Sequence, residues 1–303
     1  MITKNDFINE HLNDTKLIKS YPKLNDRLNY SNELWNNYIT KRNYKLKQLR
    51  RLNTKSFARN FRKQQDYYIK RNYSIIKSSF NEQLKYVNKL LLETKSFSRT
   101  QSRIDKNYIT ELTNNAILDI WSKTGIGINK WMLKYIDYEV KADPQFLNNF
   151  YESIVYQLQH RGSQIAGTTV DGLERILTTA AIEELSIAEA SKMLRTEFNS
   201  LSKTRATRIA RTETIGASNR SSVTTVKQLA DENDIQFKKI WLATGGTRTR
   251  PEHSAASGQK VNLDEKFIVW GEELEYPGDI AGSAKNIINC RCTTIYESDI
   301  DNI

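Results

Sequence analysis

Cysteine, histidine, glycine and proline are scarce in this chain, and their absences exclude much before any motif is read. Two cysteines separated by a single residue, Cys290 and Cys292, argue against a disulfide framework and for a reducing compartment. No apolar run approaches the roughly 18 residues of a membrane span, and Met1 to Asp6 lacks the apolar core of a secretion signal. The expectation is a soluble protein made in a cytoplasm and bound to no membrane. There is no Walker-type phosphate loop, no Gly-x-Ser-x-Gly, no His-Glu-x-x-His and no dinucleotide-binding glycine pattern, so the commoner catalytic frameworks are excluded. A hydrophobic share of 38%, against roughly 45–50% in average globular domains with glycine included, predicts extended or partner-dependent parts beside a packed core.

Between Pro22 and Gly125 the chain has neither glycine nor proline, which predicts long helices. Ile69, Tyr73, Ile76, Phe80, Leu84, Val87 and Leu91 recur at helical spacing and form an almost heptad-like apolar seam. One helix over residues 62–92 would be about 46 Å long at ~1.5 Å per residue, which points to a hairpin or an arm. Its seam suits self-association or a helix-in-groove contact.

The net charge of +11 is concentrated in one place. Residues 41–80 hold 13 Lys or Arg against the single acid Asp66, a local balance of +12, so the rest of the chain sums to −1. Candidate contact residues are Lys41, Arg42, Lys45, Lys47, Arg50, Arg51, Lys55, Arg59, Arg62, Lys63, Lys70 and Arg71, interleaved with Tyr44, Phe57, Phe61, Tyr67 and Tyr68. Cations with stacking rings hold nucleic acid without reading its sequence. Docking on an acidic protein and a merely solvated helix face are the competing readings.

Further along, Ile109 to Trp121 reads as a helix ended by Gly125-Ile126-Gly127, and Asp143-Pro144 as the start of another reaching about His160. His11 and His160 are expected on surfaces. Ser186-Ile187-Ala188-Glu189 matches a capping box, followed by Ile187, Ala190, Leu194 and Phe198 on one apolar face. In the helix predicted from Thr204 to Leu229, Ala206, Ala210, Glu213 and Ala217 share a small-residue face. A carboxylate there needs a partner, and Arg248 or Arg250 are the candidates, in an ion pair that locks helix to loop.

From Trp241 to Tyr296 the character changes: six of the 12 glycines, two of the four prolines and both cysteines fall here. Gln236–Ala243, Val261–Val269 and Cys290–Tyr296 read as strands, which places Cys290 and Cys292 on one face and Arg291 on the other. His253, Cys290 and Cys292 have the softness of zinc ligands, but Cys-x-Cys is a short spacing and no fourth Cys or His lies nearby. Reduced, packed thiols are the preferred reading and no cofactor is expected, with zinc as the alternative. A nuclease using His253 with Arg248 and Arg250 lacks the clustered carboxylates that metal-dependent cleavage needs. A Cys290 nucleophile with His253 as its base requires a proximity that sequence order does not provide.

Arg248-Thr249-Arg250-Pro251-Glu252-His253, then Gly258, Phe267, Pro277-Gly278-Asp279 and Asn289-Cys290-Arg291-Cys292, with the lead-in Ile209-Ala210-Arg211-Thr212-Glu213, resembles the head morphogenesis domain of Mu F-like phage minor head proteins over about residues 170–296. Members often carry an acidic residue just before the Arg-Thr pair, where Gly246 and Thr247 stand here. The residues themselves predict a mainly α protein with long basic N-terminal helices and a small α+β C-terminal domain of short antiparallel strands. The boundaries expected are a basic helical arm over 1–130, a helical connector over 131–200 and the Mu F-like domain over 201–297. The resemblance implies a non-enzymatic minor capsid protein of a tailed bacteriophage, resident inside the head, made in the host cytoplasm and acting in procapsid assembly. The partners implied are the portal, capsid or scaffold proteins and double-stranded DNA bound without sequence preference. Arg211, Glu213, Arg248, Thr249, Arg250, His253, Gly258, Pro277, Asp279, Asn289, Cys290, Arg291 and Cys292 would hold its loops. The alternative is an enzyme acting on nucleic acid or protein through His253, Cys290 and Cys292.

Overall fold

A computed structural model describes residues 3–12, 14, 16, 24–138, 146, 150, 152, 154–247 and 249–299. The Asp143-Pro144 helix start, Arg248 and the side chain of His11 lie outside them. The described chain is mainly α-helical with a small antiparallel strand region at its C-terminal end. Among these residues no helix is long and apolar enough to cross a membrane.

The glycine-free region forms α1 (Lys4–Leu12), α2 (Leu24–Leu49), a 3-10 turn (Arg50–Asn53) and α3 (Lys55–Thr94). Thr54 caps α3 by accepting the Phe57 N–H at 2.9 Å, and Lys95 in the left-handed region ends it. Then follow α4 (Phe97–Arg103), α5 (Lys106–Tyr135), α6 (Val155–Ile182) and α7 (Ile187–Asn233). The Ser186–Glu189 capping box starts α7, which runs unbroken through both segments read as separate helices.

The seam of α3 is buried from Ile76 to Leu91, packed with Ile117, Ile120 and Trp121 of α5, Leu173 and Leu177 of α6, and Leu194 and Phe198 of α7. The helix is thus covered within the chain rather than projecting as an arm, and its seam is not open to a partner helix. α5 likewise passes through Gly125 and Gly127 instead of ending there. A Cβ at Gly125 would lie 2.3 Å from the Phe150 ring and one at Gly127 1.6 Å from the Tyr68 hydroxyl, so these glycines serve close packing.

The C-terminal strands are β1 (Phe237–Leu242), β2 (Lys260–Asn262), β3 (Phe267–Val269), β4 (Glu272–Leu274) and β5 (Thr293–Ser298), with short helices α8 (Pro251–Ala255) and α9 (Ala284–Ile287) between them. One antiparallel sheet has the order β2-β1-β5, with Lys239 opposite Val261 and Tyr296; β3 and β4 form a separate hairpin. The strand expected over Val261–Val269 is therefore two strands in two sheets, split by a turn closed from Asn262 to Glu265. Cys290 and Cys292 lie just before β5 rather than in it. Val223, Val226 and Leu229 of α7 share a hydrophobic cluster with Phe57 and Phe61 of α3 and with Phe237, Tyr276 and Tyr296, which ties the strands to the helices.

Candidate functional site

The middle of α7 carries the motif region. Ala206, Ala210, Glu213 and Ala217 are all buried, as their spacing predicts. Gly216 lets the turn at Gly278 approach: a Cβ on Gly216 would lie 2.8 Å from the Gly278 carbonyl oxygen, and Gly278 itself has φ +80°. Asp279 completes this turn, accepting the Glu275 N–H at 2.7 Å and the Ala281 N–H at 3.0 Å. One turn of helix beyond Gly216, Asn219 donates to the carbonyls of Pro277 at 2.8 Å and Cys292 at 3.1 Å, and accepts from Thr293. Asn219 is a tie that sequence reasoning missed. Its signal was a polar side chain within a run of small residues.

At the other end, Arg211 donates to the Asn289 side chain at 2.9 Å while the Asn289 N–H donates to the Thr212 hydroxyl at 3.1 Å. Asn289 has φ +58°, which Asn tolerates better than most residues. Arg250, just before α8, donates to the Ile288 carbonyl. The Arg-Thr-Glu lead-in, the Arg-Pro-Glu-His segment and the Asn-Cys-Arg-Cys segment thus meet in space. Thr249 donates from its hydroxyl to the Gly245 carbonyl, and Gly258 takes φ +90° where its N–H closes onto the Trp241 carbonyl at 2.8 Å.

Glu213 has a different partner from the one expected. Its Oε1 accepts from Arg161 Nε at 2.7 Å and its Oε2 from Trp121 Nε1 at 3.0 Å. α6 lays Arg161 against α7, whereas Arg250 is committed to the Ile288 carbonyl. The pair locks helix to helix rather than helix to loop.

His253, Cys290 and Cys292 converge. Nδ1 of His253 lies 3.7 Å from Cys290 Sγ and 3.4 Å from Cys292 Sγ, and all three residues are buried. Both cysteines belong to an apolar cluster with Ile215, Trp241, Phe267, Val269 and Leu274, so packing of the thiols is real. The Trp241 ring meets the His253 ring edge-on at 5.6 Å. A hydrogen bond between the thiols, with burial, pushes Cys290 up, and the same bond, with His253, pulls Cys292 down. Arg291 faces away and lines a cleft of about 300 Å³ with Arg62, Arg211 and Asp66.

The basic residues divide. Lys41, Lys45, Lys47, Arg50, Arg51, Lys55, Arg59, Lys63, Lys70 and Arg71 are exposed and Arg42 is half-buried, but Arg62 turns inward, donating to the Ala243 carbonyl at 3.1 Å. Phe57 and Phe61 are buried against Trp131 and are no platform for bases. Tyr44 and Tyr67 are exposed. Between α3 and α5 a cleft of about 650 Å³ brings Tyr67, Tyr68 and Arg71 together with Lys123 and Lys130, two cations absent from the sequence-based set. His160 is exposed as expected.

Residues 171–295 match the family model described as Phage Mu protein F like protein. The chain is 37% identical over 101 residues to Minor head protein GP7 of Bacillus phage SPP1, a match covering 33% of this chain and 31% of that protein. It is 40% identical over 121 residues to a protein of Enterococcus faecalis named NAD(+)--arginine ADP-ribosyltransferase EFV, covering 39% of this chain and 24% of that protein. The matches thus span about a quarter to a third of these relatives. No solved structure matches the chain.

Proposed function

We propose that the chain, whose residues 171–295 match the Phage Mu protein F like family model, is a phage head protein, a minor component that acts in procapsid assembly and stays in the head beside the DNA. The observation that carries this reading is the docking of the family motifs on α7. Arg211 with Asn289, Gly216 with Gly278, and Asn219 with the Pro277 and Cys292 carbonyls fix two loops on one helix. Loops held this way form a rigid surface for recognition of portal or shell.

The exposed cations of α2 and α3, with the Tyr67, Arg71, Lys123 and Lys130 cleft, supply a surface for DNA of any sequence. Each cation that neutralises a phosphate releases counterions, which makes such binding strong at low salt and weak at high salt. Arg62 plays no part, being turned toward Ala243. The seam of α3 is covered by α7, so contact with portal falls to the loops and the basic face.

An enzymatic reading keeps one specific observation, the proximity of His253 to Cys290 and Cys292, and the name of the Enterococcus faecalis relative. That name covers a protein of which 24% is matched. Incorporation of tagged protein into heads, measured for the full chain and for His253→Asn, separates the two. Normal incorporation of the full chain supports a head component, and absence of the chain from purified heads overturns it.

A further inference from the structure

We propose that His253, Cys290 and Cys292 are the three protein ligands of a zinc-class divalent cation whose fourth position is taken by water. A tetrahedral zinc with Zn–S of about 2.3 Å and Zn–N of about 2.0–2.1 Å sets its nitrogen and sulfur ligands about 3.5 Å apart. His253 Nδ1 stands 3.7 and 3.4 Å from the two sulfurs, and all three donor atoms lie within 4.8 Å of one another. The donors are therefore already spaced as neighbouring corners of one coordination sphere, although 37 residues of chain separate His253 from Cys290.

Charge and surroundings agree with this assignment. Two thiolates cancel the charge of a divalent cation, so the loaded cluster is neutral and suits the apolar shell of Ile215, Trp241, Phe267 and Val269. Among the described residues Nε2 of His253 is buried without a hydrogen-bond partner, while Nδ1 faces the two sulfurs. Soft sulfur and imidazole donors select zinc-like ions over magnesium or calcium.

The positions are also held from outside the cluster. Arg250 grips the Ile288 carbonyl, Arg211 and Thr212 hold Asn289, and Asn219 holds the Cys292 carbonyl. This network orients the ligand-bearing segments in the way that residues behind a metal's ligands do. It gives the motif arginines and asparagines a purpose beyond loop shape. Both sulfurs of Cys-x-Cys lie close to His253 Nδ1, so the short spacing does not keep them from one site.

The test uses the full-length chain, untagged and produced in zinc-supplemented medium. Metal analysis should find about one equivalent of zinc per chain. Exchange with cobalt(II) should give sulfur-to-cobalt charge transfer and the intense visible bands of a tetrahedral site. The charge-transfer band should fall by about half in Cys290→Ser and in Cys292→Ser, each of which removes one thiolate of the pair. Because a variant without one of its ligands can fail to fold, the wild-type chain is also treated with a thiol reagent. A chelator should release the zinc and speed the reaction of both thiols together. Less than a tenth of an equivalent of zinc, with no cobalt–thiolate band, overturns the proposal. So does a Cys290–Cys292 disulfide in the freshly purified chain, or thiols whose reactivity ignores the chelator.

Discussion

Arg161 Nε lies 2.7 Å from Glu213 Oε1 in the helical interior, and Trp121 occupies the other carboxylate oxygen at 3.0 Å. One carboxylate thereby joins α5, α6 and α7. Removing one partner of a buried ion pair leaves an uncompensated charge and costs about 3–5 kcal/mol. Glu213→Ala should lower the unfolding free energy by that amount, seen in urea as a lower midpoint with a largely unchanged slope. A variant as stable as the parent would contradict a locking role.

Gly216 and Gly278 place backbone against backbone where α7 meets the Pro277–Asp279 turn. Gly216→Ala would drive a methyl to 2.8 Å from the Gly278 oxygen and 3.0 Å from Trp121. Overpacking of this kind costs about 1–3 kcal/mol, although alanine favours helix more than glycine does. Thermal unfolding should show a net loss, and a gain would mean that the turn can shift freely.

Lys239 is buried on β1 with its Nζ donating to the Glu275 carbonyl at 2.8 Å, and burial pulls its ammonium down to about 8 from 10.5. The unfolded chain then binds more protons than the folded one between those values, so stability from this group increases with pH across that window. It is fully present above the unfolded value and lost as pH falls through about 8. At ~1.4 kcal/mol per unit the rise totals about 3 kcal/mol. The difference in unfolding free energy between parent and Lys239→Met should change by that amount from pH 8 to 10.5, in favour of the parent. A flat difference would mean that Lys239 keeps its charge at the ordinary value.

DNA binding should weaken steeply with salt whatever the sequence. Charge removal at Lys63, Lys70 and Arg71 should reduce the slope of log K against log salt by about 0.9 for each phosphate that is no longer neutralised. Arg62→Gln should leave that slope alone, because its guanidinium faces Ala243. Equal effects from Arg62 and Lys63 would place DNA on a different surface.

Much of the fold was legible where a local rule and the tertiary demand agree. The α3 seam, the Ser186 capping box, β1 and the inward face at Glu213 follow from periodicity and caps. Gly125 and Gly127 misled because their usual role at helix ends gave way to the close approach of Phe150 and Tyr68, which no local window contains. Phe57 and Phe61, taken as possible base platforms, are buried by Trp131 from a distant helix. At the site, residue type offered His253 and the two cysteines as a possible set, but their distances depend on the tertiary placement of the loops beside α7, which sequence order does not provide. Arg161 as the partner of Glu213 was invisible, since a pairing across 52 residues leaves no trace in spacing.

Association with head components is tested most directly by co-purification of the full-length tagged chain with the portal and procapsid proteins encoded beside it, before and after nuclease treatment. Direct docking predicts a complex that survives nuclease. Loss of the complex on nuclease treatment, or no complex at all, would contradict a docking role for loops fixed on α7.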